Sequence, residues 1–119
     1  MQIQIINSDQ QQGFSPIVGE RTTELLDRFG EKIEQGELET LKLEAIEILA
    51  KCNNPNSQTI QSSTGLAFGY VQSGKTMSFT VLSALAGDNN YRVIIYFAGT
   101  KNNLLSQTTK RLRKDLINN

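Results

Sequence analysis

The tightest constraint on this chain is a run of eight residues, Gly69-Tyr70-Val71-Gln72-Ser73-Gly74-Lys75-Thr76. The run is G-x-x-x-x-G-K-T without departure, and a short apolar stretch, Leu66-Ala67-Phe68, leads into it. Each residue type in such a loop answers a physical need. Gly69 and Gly74 let the backbone curl so that consecutive N–H groups face a phosphate, while the helix that follows contributes the positive end of its dipole. Lys75 is placed to reach the outer phosphates of a nucleotide, and the Thr76 hydroxyl to ligate Mg²⁺. Tyr70, Val71, Gln72 and Ser73 fill the loop and supply backbone donors. The motif carries weight only between a strand and a helix. The sequence meets that condition, because Met77, Phe79, Val81, Leu82 and Leu85 follow as an apolar helical run.

Composition narrows the alternatives. The 119 residues carry 12 basic and 12 acidic side chains, one cysteine and no histidine, a length for at most one domain. A lone cysteine excludes an intramolecular disulfide and favours a reducing compartment. Without histidine, a conventional zinc site and Ser-His-Asp or Cys-His catalysis are poor candidates. No apolar run reaches membrane-spanning length and the polar start lacks the form of a signal peptide, so the expected location is cytoplasmic. The zero net charge conceals an asymmetry. Acids dominate the first sixty residues, whereas Lys75, Arg92, Lys101, Lys110, Arg111, Arg113 and Lys114 face only Asp88 and Asp115 in the remainder. An anionic ligand would be drawn to that half, although charge blocks of this kind are also the solvated faces of helices.

In chain order, residues 2–5 alternate polar and apolar as a short strand would, and residues 7–13 form a polar, glutamine-rich loop. Ser15-Pro16 can open a helix, along which Leu25, Leu26, Phe29 and Ile33 recur at helical spacing until Gly36 ends it. A second helix from Glu37 to Cys52 aligns Leu38, Leu41, Ala45, Ile48, Leu49 and Cys52. Cys52 on that stripe reads as a small buried hydrophobe. Together these helices form a hairpin, the lead-in of residues 1–57. From residue 58 to 119 the pattern predicts a βαβ unit: a strand at 66–68, the glycine loop, a helix from Lys75 to about Ala86, a turn at 87–90, and a second strand at 91–98. Continuous apolarity from Val93 to Ala98 suits a parallel strand covered on both faces. A last helix, from about Asn102 to Ile117, follows. The predicted class is α/β, the start of a recombinase-like P-loop NTPase parallel sheet preceded by a helical hairpin.

After the second predicted strand comes Ala98-Gly99-Thr100-Lys101-Asn102-Asn103-Leu104-Leu105-Ser106-Gln107. Here the chain resembles the superfamily-two helicases and their restriction-enzyme relatives, in which a threonine after this strand is followed by a leucine and a glutamine. Thr100, Leu104 and Gln107 take those places, with Gly99 where proline is usual and one extra residue before Leu104. The chain is more similar still to the putative-endonuclease proteins named for their Z-one domain. That likeness lies in residues 69–76, in Ala98-Gly99, in Asn102-Asn103-Leu104 and in Ser106-Gln107-Thr108. It extends over about residues 65–116 and stops short of the helical hairpin. The resemblance implies a DNA-directed, ATP-binding region from a helicase, translocase or restriction system, with Thr100, Lys101, Asn102 and Gln107 contacting nucleic acid. Read on its residues alone, the same segment is equally a helix start, with Thr100 or Asn102 as cap.

Hydrolysis in this class needs an apolar strand ending in Asp-Glu, and after Thr76 the only carboxylates are Asp88, in a predicted turn, and Asp115, on the last helix. No catalytic residue is identifiable. The expectation is therefore an N-terminal piece that binds ATP and Mg²⁺ but is inactive alone, completed by downstream chain or a second recombinase-like domain. A P-loop kinase or nucleotide switch that binds no nucleic acid is the alternative.

Overall fold

The computed structural model describes residues 2–5, 14–58, 62, 64–68, 75–96 and 102–117. Its elements in chain order are β1 (Gln2–Ile5), α1 (Glu20–Phe29), α2 (Gln35–Ala50), β2 (Gly65–Phe68), α3 (Lys75–Asp88) and α4 (Asn102–Leu112), the last continued by a π-helical turn, Arg113–Ile117.

Helix α3 is the centre of the packing. A helix with apolar or small, uncharged residues on all sides has to be enclosed, and α3 is so from Thr80 to Ala86. Val81 and Leu85 are wholly buried, as is Thr80, with Ser83, Ala84 and Ala86 nearly so. Two flanking helices enclose it. From α1 come Thr22, Leu25 and Phe29, at i, i+3 and i+7; from α2 come Leu38, Ala45 and Leu49. The core thus draws on both the helical lead-in and the helix that follows the glycine loop. Buried hydroxyls on α3 are satisfied locally: Thr80 Oγ1 donates to the Thr76 carbonyl at 2.7 Å and Ser83 Oγ to that of Phe79 at 2.8 Å. This back-bonding to the preceding turn removes the cost of burying an unpaired polar atom.

This enclosure overturns the expected α/β class. The described residues are mostly helical, and their strands form one antiparallel pair, β1 with β2, in the register Gln2↔Phe68 to Ile5↔Gly65. Both short strands lie where the sequence places them, but they pair with each other rather than beginning a parallel sheet. Residues 91–96, expected as the second parallel strand, form neither strand nor helix. Val93 and Ile95 are 74% and 71% exposed. The reason is physical: a βαβ crossover helix must lay its apolar face on a sheet, and α1 and α2 already cover that face of α3. Phe97 and Ala98 lie outside the described residues, as does the loop expected at 7–13.

Boundaries shift for reasons visible in the contacts. Helix α1 begins at Glu20 rather than at Ser15-Pro16, because residues 14–19 form no regular element and are held from outside. Phe14 N donates to Ala50 O at 3.3 Å, and the Asn89 side chain accepts from Ile17 N at 2.8 Å while donating to Ile17 O at 2.9 Å. Gly36 does not end the first helix; Gly30 caps it, and Gly36 lies in the first turn of α2. Cys52 falls just past α2, half-buried against the core, with its thiol donating to Ile48 O at 3.4 Å. Burial pushes that thiol's pKa up.

The C-terminal end of α3 is a Schellman cap. Asn90 adopts φ 72°, the left-handed conformation that a short polar side chain tolerates. The cap's two hydrogen bonds run from Tyr91 N to Ala86 O at 3.0 Å and from Asn90 N to Gly87 O at 3.3 Å. It extends α3 two residues past the Ala86 end expected from the sequence.

Candidate phosphate-binding site

Strand β2 ends at Phe68 and α3 begins at Lys75. The motif therefore spans a strand end and a helix start, with Lys75 and Thr76 as the first two helical residues. Gly69, Tyr70, Val71, Gln72, Ser73 and Gly74 lie outside the described residues. No acidic side chain occupies the first turn of α3, so nothing of that helix's own neutralises its positive end. Thr76 is half-buried there. A hydroxyl-bearing residue at a helix N-terminus, with no competing carboxylate in that turn, fits Mg²⁺ carried on nucleotide phosphates, since that ion keeps much of its water and takes few protein ligands. Among the described residues no group of three or more Asp, Glu, Cys or His gathers to hold a metal by itself.

The expected nucleic-acid contacts are only partly placed. Thr100 and Lys101 lie outside the described residues, Asn102 is the first residue of α4, and Gln107 is exposed in the middle of it. Lys75 and Asn102 thus open two different helices. Lys110, Arg111, Arg113 and Lys114 are all exposed, the basic face that charge patterning anticipates.

Sequence reasoning missed the part played by the far end of α3. The N-cap residue of α1, Gly19, has no side chain to cap that helix, and Asp88 does so from across the fold. Its Oδ2 accepts from Gly19 N at 3.0 Å, Thr22 N at 3.0 Å and Thr22 Oγ1 at 2.7 Å, and its Oδ1 from Arg21 N at 3.2 Å. The exchange is reciprocal. Helix α3 has no basic residue in its last turn, and the Arg21 guanidinium lies over Gly87, where a Cβ would come within 2.7 Å of Nη1. Each helix thus supplies the charge that the other's terminus favours. The turn expected at 87–90 marks this end of α3 in the sequence; the helix start that its Asp88 serves has no local signal.

The groove beside this junction is cationic, polar at one end and partly apolar at the other, where Leu25, Ile94 and Leu116 join the lining. One cleft of about 660 Å³ is lined by Arg21, Gly87 and Arg92 with Asn56 and Asn90. A neighbouring one of about 690 Å³ shares Arg21, Gly87, Tyr91 and Arg92 and adds Arg28, Tyr96 and Asp115. Arg28 donates to the carbonyls of Lys114 and Asp115, which ties α1 to the C-terminal helix. The Tyr91 hydroxyl bonds to Asn53 O and that of Tyr96 to the Ser83 hydroxyl.

No protein-family model, curated protein or solved structure matches the chain. The functional reading therefore rests on the residues themselves. Among the described residues no helix is long and apolar enough to cross a membrane.

Proposed function

We propose that the chain binds the phosphates of a nucleoside triphosphate, ATP, with Mg²⁺, through residues 69–76, as the nucleotide-binding part of a cytoplasmic DNA-directed ATPase of helicase, translocase or restriction type. One observation carries the proposal: the G-x-x-x-x-G-K-T run lies between the end of β2 and the start of α3, the only local context in which such a run is a phosphate cradle. The loop N–H groups and the first turn of α3 would hold the phosphate oxygens. Lys75 would neutralise the outermost phosphate, and Thr76 would hold the metal. Mg²⁺ at that hydroxyl supplies charge neutralisation across the outer phosphates. Enclosure of α3 by α1 and α2 fixes the helix whose first turn does this work.

The same reading separates binding from hydrolysis. Past Thr76 the carboxylates are Asp88 and Asp115. Asp88 is committed to the N-terminus of α1, and Asp115 sits on the C-terminal turn, so neither is poised to activate water at the start of α3. Further chain or a second domain would have to provide that group. The nucleic-acid part of the reading rests on the resemblance carried by residues 98–108 and on the exposed basic face of the last helix.

Ligand-linked thermal unfolding tests the phosphate site. A ligand that binds only the folded state raises its stability by about 2.7 kcal/mol at a hundredfold excess over Kd. Mg·ATP should therefore raise Tm by several degrees, and adenosine should not. Equal shifts with both would show that the phosphates are not what the protein recognises.

A further inference from the structure

The cationic groove between α1, α3 and residues 91–96 has no role in the phosphate site, which opens at the other end of α3. Three arginines line its two confluent clefts: Arg21, Arg28 and Arg92. Neither Arg21 nor Arg92 has a carboxylate partner among the described residues. The one carboxylate on the lining is Asp115; the nearby Asp88 has both oxygens engaged by donors of α1. Guanidiniums without a carboxylate partner on a concave surface, as those of Arg21 and Arg92 are, attract anions, and they do so in bidentate fashion toward phosphate; Arg28, held by two backbone carbonyls, adds its charge to the same wall.

Shape and spacing narrow the ligand. Arg21 and Arg28 stand two helical turns apart on α1, about 10.5 Å along its axis, so the charges run along a wall instead of converging on one point. A single phosphate cannot satisfy such a row, whereas a chain of phosphates can. Tyr91 and Tyr96 line the same cleft as the cations, each hydroxyl tied down by a hydrogen bond, so their rings are held in place on its wall. Tyr96 remains 39% exposed. A positive groove that also carries anchored aromatic rings is the physical form that takes single-stranded nucleic acid, with phosphates on the arginines and bases on the rings. A duplex read through its major groove would require a projecting helix or ribbon instead.

We infer that the groove lined by Arg21, Arg28 and Arg92 is a binding channel for single-stranded nucleic acid, with Tyr91 and Tyr96 as its stacking surface. The inference rests on the nucleic-acid part of the function proposed above and adds a path that residues 98–108 do not provide. The exposed basic residues of the last helix border it, since the carbonyls of Lys114 and Asp115 are held by Arg28.

Fluorescence anisotropy with the full chain and short fluorescein-labelled oligothymidylate or oligouridylate tests the channel. The wild type should bind with a log–log salt slope that loses about 0.7 for each arginine removed from contact with a single strand. Arg92→Ala, at an exposed position that bears no packing, should weaken binding several-fold and flatten the slope. The Arg21→Ala/Arg92→Ala double variant should do so by about twice as much, and Arg92→Lys should restore the slope. Tyr96→Leu should weaken binding and leave the slope unchanged, which separates stacking from charge. Preference between the two oligonucleotides identifies which sugar the channel takes. Unchanged affinity and slope in Arg92→Ala and the double variant, with binding lost in Lys101→Ala, would overturn the channel and keep the nucleic-acid reading. No binding of either oligonucleotide by the wild type would overturn both, and leave the phosphate site to its own titration.

Discussion

Thr22 and Asp88, 66 residues apart in sequence, are joined through a single carboxylate oxygen that accepts both the backbone N–H and the hydroxyl of the threonine, at 3.0 and 2.7 Å. The threonine is 1% exposed, so these donors have no recourse to water. A helix start that lacks its own cap thereby obtains one from the end of the helix that carries Lys75 and Thr76. Removing the carboxylate in Asp88→Ala leaves buried donors unpaired, a cost of about 1–3 kcal/mol. Urea unfolding should show a lower midpoint with the slope unchanged, the midpoint shift multiplied by that slope giving this cost, and Thr22→Val should cost less, because the backbone bonds to Asp88 persist.

Asn90 closes α3 in the left-handed region. Alanine there meets the steric penalty without the local hydrogen bonding that lets asparagine tolerate it, so Asn90→Ala should destabilise the fold by about 1 kcal/mol. Asn90→Gly removes the strain. It also loses the exposed bond from Asn90 Nδ2 to Asn56 Oδ1 at 3.0 Å, so its net effect should be small and of either sign. A thermal melt of the two variants side by side distinguishes a conformational requirement from a contact.

Gly36 behaves in the opposite way. A Cβ built there meets nothing within 4 Å, and the residue lies inside α2. Gly36→Ala should therefore stabilise the protein by about 0.5–1 kcal/mol through lower entropy of the unfolded chain and better helix propensity. Loss of stability would mean that the glycine is needed as the hairpin turn that sequence periodicity suggests.

Cys52 and Tyr91 set an alkaline limit. Burial raises the thiol above its ordinary 9.0; burial first, and then the neighbouring Cys52, raise the Tyr91 phenol above 10.0. For each group the unfolded chain releases the proton at lower pH than the folded one. Their contribution is thus complete below about pH 9 and is lost as pH rises through the folded-state values. Stability measured from pH 7 to 11 should be flat and then fall, and Cys52→Ala should delay and reduce the fall.

Much of this fold is legible locally and little of it globally. The apolar spacing of Leu25 and Phe29, and of Leu38, Ala45 and Leu49, gives two helices whose buried sides match, and the alternation at residues 2–5 and the apolar stretch at 66–68 give two strands. Pairing is another matter. Val93-Ile94-Ile95 has the composition of a fully covered strand, but composition states only that the segment suits burial, and α1 and α2 had already taken the helix face that would have covered it. The glycine loop was readable because its chemistry is written in consecutive residues. The Asp88 cap and the arginine groove were not, because their members come together only when α1 packs against the end of α3.

The most direct measurement is a calorimetric titration of the 119-residue chain with ATP, with and without Mg²⁺, beside Lys75→Ala. Residues 69–76 as a phosphate cradle predict saturable one-site binding that strengthens with Mg²⁺, is lost in Lys75→Ala, and is unaffected by Arg92→Ala. Binding of equal strength in Lys75→Ala and wild type, or no binding by a folded wild type, would contradict it.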